Sequence, residues 1–175
     1  MSEPLSFREL LELQEIHELE INKIEFRKKN LSDLRAALMD EFLEFRKELP
    51  AELNFKAWKK KTHSPEKQLE EFVDMLFFIA TEINLINLKE DSADEWDYCW
   101  QHYNFANDVD NIFLNFFMRN ICEDEILNIL RKYIFMAKMF GYKEKDIFEQ
   151  YKKKWQHNLK DRISGDWNNE MLEVN

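Results

Sequence analysis

The stretch Ser64-Pro65-Glu66-Lys67-Gln68-Leu69-Glu70-Glu71-Phe72-Val73-Asp74-Met75-Leu76-Phe77-Phe78-Ile79-Ala80-Thr81-Glu82-Ile83-Asn84-Leu85 decides the fold. Ser64 followed by Pro65 has the form of a helix start, because serine can accept from an orphan backbone N–H and proline has none to leave unpaired. Leu69, Phe72, Val73, Leu76, Ala80 and Ile83 then recur at steps of mostly three and four, while Met75, Phe78 and Leu85 fall on the far side. A helix apolar on nearly every side belongs at the centre of a bundle.

The neighbouring segments supply the rest of that bundle. Residues from about Leu5 to Lys29 read as a charged amphipathic helix with Leu10, Leu13, Ile16 and Leu19 at intervals of three, broken at Asn30. Ser32 is the expected N-cap of a second helix whose stripe is Leu34, Leu38, Phe42, Phe45 and Leu49, ended by Pro50. Ala51 to His63 reads as a loop. A fourth helix is expected from about Ser92 to Arg119, with a kink or break near Asn107. A fifth should run from about Glu123 to Phe140 with Gly141 as its C′ residue, and a last from about Lys145 to Ile163 before Gly165. Two glycines and three prolines in 175 residues argue against turn-rich β architecture. The expectation is an all-α, single-domain bundle of about six helices over residues 1–175.

Composition removes several functional classes. Gly141 and Gly165 are the only glycines, so neither G-x-G-x-x-G nor a P-loop can be written. With 25 basic against 35 acidic residues the net charge is −10, which disfavours nonspecific nucleic-acid binding while leaving room for a small polyanion held through metal ions. The acidic first thirty residues do not resemble a signal peptide, and no run of about twenty apolar residues could cross a membrane. A cytoplasmic protein without membrane partners is expected. Cys99 and Cys122 sit among aromatic and aliphatic neighbours without a C-x-x-C pattern, and both are expected to be reduced core thiols.

The informative polar residues are carboxylates. Glu41, Glu44 and Glu48 share one helical face, about 90° round from the Phe42–Phe45 stripe, so the row borders the core. In an acid-rich chain such a row can arise as a solvated face. The second pair changes the reading: Asp74, three residues after Glu71, lies inside Phe72-Val73-Asp74-Met75-Leu76 on the most buried helix. An ionised carboxylate there must be paired, protonated or bound to a cation. Its own helix carries no basic residue between Lys67 and Lys89, so a cationic partner would have to come from elsewhere. Two helices offering carboxylates at i and i+3 can converge on hard divalent cations, for which Mg²⁺ or Mn²⁺ suits all-oxygen ligation. A di-iron centre would call for Glu-x-x-His, and no histidine here has a glutamate three residues before it.

The order Glu41-x-x-Glu44 with Glu48, then Phe55-Lys56-Ala57-Trp58, then Glu70-Glu71-Phe72-Val73-Asp74 resembles the dimeric dUTPases among the all-α nucleoside triphosphate pyrophosphatases. Tyr151, Lys154, Asn158, Arg162 and Gly165 resemble a further stretch of that family. The resemblance implies a homodimer with catalytic helices at about 32–88 and a substrate-binding helix at about 145–165. It implies Mg²⁺, with Mn²⁺ as the alternative ion, held by Glu41, Glu44, Glu71 and Asp74. Water would attack the α-phosphorus of a deoxynucleoside triphosphate with Glu44 as its base, converting dUTP, and also dUDP, to dUMP. Gln14 would contact the uracil, Lys56 the phosphates and Trp58 the nucleoside. Lys154 and Arg162 would meet phosphate and Asn158 a base or sugar edge.

The sequence departs from the family at four places. Phe77 stands where a histidine is usual, Glu18 stands where Asn or Asp is expected, three extra residues including Pro50 precede the F-K-x-W segment, and Arg162 is one position late relative to Asn158. These departures touch base recognition, so another nucleotide such as dCTP or a modified base is the rival substrate. A noncatalytic interaction module presenting the aromatic residues from Trp96 to Phe117 is the rival of another class.

Overall fold

Side-chain caps set where the first three helices begin in the computed structural model, which describes residues 5–23, 25, 27–56, 58, 62–103, 117–122 and 125–163, the last three by backbone alone. Helix α1 spans Phe7–Ile21, and its N-cap Ser6 forms a reciprocal capping box with Glu9. Helix α2 spans Leu31–Glu48. Its N-cap is Asn30, not Ser32: the Asn30 side chain accepts from the Asp33 N–H while Asp33 returns a bond to the Asn30 N–H. Asn30, expected to break the first helix, instead starts the second, and α1 already ends at Ile21. Helix α3 spans Pro65–Leu85, and Ser64 caps it as expected.

Helices α4, Lys89–His102, α5, Ile126–Met139, and α6, Glu144–His157, follow. The expected long fourth helix is thus shorter and starts earlier; residues 117–122 are helical, and the expected break near Asn107 lies outside the described residues. The fifth starts at Ile126 instead of Glu123. Gly141 is its C′ residue, at φ 73°, with Gly141 N–H donating to the Lys138 carbonyl and Tyr142 N–H to that of Ala137. Asn87, at φ 59°, closes α3 with the same pattern of bonds. After α6 the chain widens into a π-helical turn, Asn158–Ile163. Gly165 lies outside the described residues.

The described residues contain no strand, and α3 packs against α1, α2, α4, α5 and α6, as its all-round apolarity requires. Phe72 is fully buried, stacked on Tyr133 at 4.3 Å and edge-on to Phe45 at 5.3 Å. Trp96 stacks on Phe7 at 4.2 Å and donates its indole N–H to Glu144 at 2.6 Å, joining α1, α4 and α6. Lys138 donates to the carbonyls of Cys99, Trp100 and Tyr103 at 2.6–2.9 Å, which closes the C-terminal end of α4.

Two expectations about burial change. On α1 the buried face is Phe7, Leu10, Leu11, Gln14 and His17, while Ile16 and Leu19 are exposed, Leu19 at 60%. A strict interval of three slips by about 60° per step, so the leucine series leaves the core within three steps, and the three-four alternation stays in it. Cys99 is buried as expected, but Cys122 is exposed; both are free thiols.

Candidate functional site

Helices α2 and α3 carry the acids, and their packing brings together one carboxylate oxygen each of Glu41, Glu71 and Asp74, all within 4.8 Å of one another. The i, i+3 spacing puts Glu71 and Asp74 on one face of α3, and Glu41 borders the core side of α2. Burial, reinforced by the charge of Asp74, pushes the Glu41 carboxyl up to about 7. Glu71 is raised for the same reasons. Three converging carboxylates, two of which hold their protons more tightly than usual, are a donor set fitted to a divalent cation, whose charge removes the repulsion.

The cation that Asp74 needs within the protein comes from α6: Lys154 pairs with Asp74 and lies 3.9 Å from Glu70. Lys154 also pulls the acidity of Glu41 and Glu71 back toward normal. Glu44 lines the same cavity of about 490 Å³ and pairs with Lys47 one turn on. Glu48, the third member of the α2 row, is not part of the convergent group.

Gln14 and Asn158 line this cavity together with the acids. Gln14 is buried at the junction of α1, α3 and α6, where its Oε1 accepts from the Tyr151 hydroxyl at 2.5 Å. Its Nε2 donates to Glu18 at 3.0 Å and to Thr81 at 2.8 Å. Phe77, standing where the family usually has histidine, is stacked on Tyr151 at 4.2 Å and forms part of the same wall. His17 and Thr81 are cavity residues that sequence reasoning missed; the three-four spacing through Leu10 and Gln14 carried the signal for His17.

The loop residues stand apart. Trp58 is 74% exposed, and neither it nor Lys56 lines the cavity. Lys56 Nζ lies 5.5 Å from the Phe55 ring centroid. Asn54 holds the loop entry, donating to the Lys47 carbonyl at 2.7 Å and accepting from the Lys56 N–H at 2.9 Å. Arg162 is in the π-helical turn, and its side chain lies outside the described residues.

A match to the dUTPase family covers residues 6–165, nearly the whole bundle and every residue of the site. The chain belongs to the dUTPase family. Comparison with curated proteins yields no match. As a dUTPase it is an enzyme, a dUTP diphosphatase that hydrolyses dUTP to dUMP, and not a noncatalytic interaction module. The family suggests a divalent-metal requirement, in keeping with the acidic cluster of this dUTPase. No described helix is long and apolar enough to cross a membrane.

Proposed function

We propose that this dUTPase works with Mg²⁺, or Mn²⁺ in its place, held by Glu41, Glu44, Glu71 and Asp74. The observation that carries the reading is the convergence of Glu41, Glu71 and Asp74 with a Glu41 carboxyl displaced to about 7. Bound there, the ion supplies charge neutralisation for the triphosphate and acidifies water. The protein's own groups do the rest. Glu44 orients the attacking water and takes its proton; the water oxygen bonds to the α-phosphorus as the bridging P–O bond breaks and diphosphate leaves. Lys154, already among the acids, and Arg162 meet the phosphates, while Lys56 and Trp58 close over phosphate and nucleoside from the loop. Gln14 shapes the base pocket, and Asn158 meets a base or sugar edge. With dUDP the same attack releases phosphate.

The proposed state is a cytoplasmic homodimer of one domain over residues 1–175. Supporting the dimer, Ile16, Leu19, Leu85 and Ile86 are exposed on α1 and at the end of α3, and Leu19 and Leu85 line one surface groove. The mass in solution, read by light scattering, tests it.

A nucleotide panel with and without Mg²⁺ tests substrate and ion together. Diphosphate release from dUTP that disappears with chelator is expected; robust release from dCTP or a modified nucleotide with none from dUTP would replace the substrate. Glu44→Gln should fold and lose at least about a hundredfold in turnover, and unchanged turnover would remove Glu44 from the mechanism.

A further inference from the structure

Gln14 lines the cavity but has little left to offer a ligand. Both hydrogens of its amide are taken, by Glu18 at 3.0 Å and Thr81 at 2.8 Å, and its oxygen accepts from Tyr151 at 2.5 Å. One turn further along α1, His17 is in the opposite condition. Its side chain is 7% exposed, it lines the same cavity, and its Nε2 is buried with no hydrogen-bond partner among the described residues. The Oδ1 of Asn158, another cavity residue, is buried and unpartnered in the same way. Glu25 Oε2 is a third such atom on the wall of this cavity; orphaned polar atoms in a protein interior are costly, and their gathering in one cavity points to a ligand that completes them.

The surroundings of the ring assign its proton. Nδ1 lies 3.5 Å from the Gln14 nitrogen, whose hydrogens are spent, and 3.8 Å from the Glu18 carboxylate. The carboxylate favours the proton on Nδ1, which leaves a lone pair on Nε2. That lone pair repels phosphate oxygens and requires a donor. Of the groups on dUTP, the base offers a single ring donor, the imide N3–H, where cytosine carries a lone pair of its own. Phe77, edge-on to His17 with ring centroids 5.7 Å apart, holds the imidazole in place.

We propose that His17 is a specificity-determining residue of this enzyme, its Nε2 accepting a hydrogen bond from the N3–H of uracil while Gln14 positions the wall behind it. The proposal rests on dUTP being the substrate. His17 then supplies from α1 a base contact that Phe77 on α3 has no polar atom to make.

The test compares binding of dUMP and N3-methyl-dUMP, by titration calorimetry, to the parent protein and to His17→Leu and His17→Gln. The parent should favour dUMP by about ten- to a hundredfold, since the methylated base leaves the buried nitrogen unpaired. His17→Leu should bind the two within about threefold of each other, and His17→Gln, which keeps an acceptor, should recover most of the preference. A merely structural histidine would weaken both ligands equally and leave the ratio alone. An unchanged ratio in His17→Leu, or no preference in the parent, would overturn the proposal while leaving dUTP hydrolysis standing. A parent that fails to hydrolyse dUTP would overturn the substrate reading and this contact with it.

Discussion

Replacing Glu41 by glutamine should make the metal-free protein more stable and the enzyme worse. The Glu41 carboxyl is pushed from 4.5 up to about 7, first by burial and then by Asp74. Between those two values the folded chain keeps a proton that the unfolded chain has released, so stability falls as pH rises from about 4.5 to 7. Each pH unit of displacement is worth ~1.4 kcal/mol, a ceiling of ~3 kcal/mol that partial exposure reduces to roughly 1–2 kcal/mol. Glutamine keeps the shape and removes the charge, recovering that amount above pH 7 and almost none near pH 4.5. In a chain of this size the gain corresponds to a melting temperature higher by about 3–6 °C. Thermal melts of both proteins in EDTA, at pH 5 and pH 8, read the difference directly. Added Mg²⁺ or Mn²⁺ should raise the parent's melting temperature and raise the variant's much less, and dUTP turnover should fall. A variant that melts at or below the parent at pH 8 would refute the idea that the acids repel one another in the free protein.

At subsaturating metal, kcat/KM should rise with pH through about 7, because Glu41 must give up its proton to act as a ligand; higher metal should move that limb to lower pH, and a limb indifferent to metal would assign it to another group. Tyr151→Phe deletes the bond to Gln14 and leaves a buried amide oxygen unpaired, at a cost of about 1–2 kcal/mol together with a raised KM for dUTP. Denaturant unfolding and steady-state kinetics check the two effects, and a change in neither would mean that the hydroxyl does not hold Gln14. Phe72→Ala empties the ring stacked on Tyr133 and should cost about 3–5 kcal/mol in urea unfolding; a loss below about 1 kcal/mol would place the core elsewhere.

Where the local signal was strong, sequence and structure coincide. Ser64-Pro65 starts α3 and Gly141 ends α5, because these residues act on backbone groups within one turn of themselves. Where two local signals competed, the reading slipped: Asn30 and Ser32 can both cap, and Asn30 prevails because Asp33 three residues on completes its capping box. The α1 stripe was misread because intervals of three look helical over a short window yet rotate out of the core. That slip concealed His17, which the three-four face of α1 brings into the cavity.

The sequence by itself determined the all-α class, the centrality of α3 and the pairs of acids at i and i+3, since these follow from periodicity and composition along one chain. Only the tertiary structure decided that Glu41 meets Glu71 and Asp74, that the cation beside them is Lys154 from α6, and that Gln14 is spent while His17 is not. Proton affinity and hydrogen-bond satisfaction depend on groups far apart in the chain, 80 residues for Asp74 and Lys154 and 137 for Gln14 and Tyr151, and helix packing sets that juxtaposition.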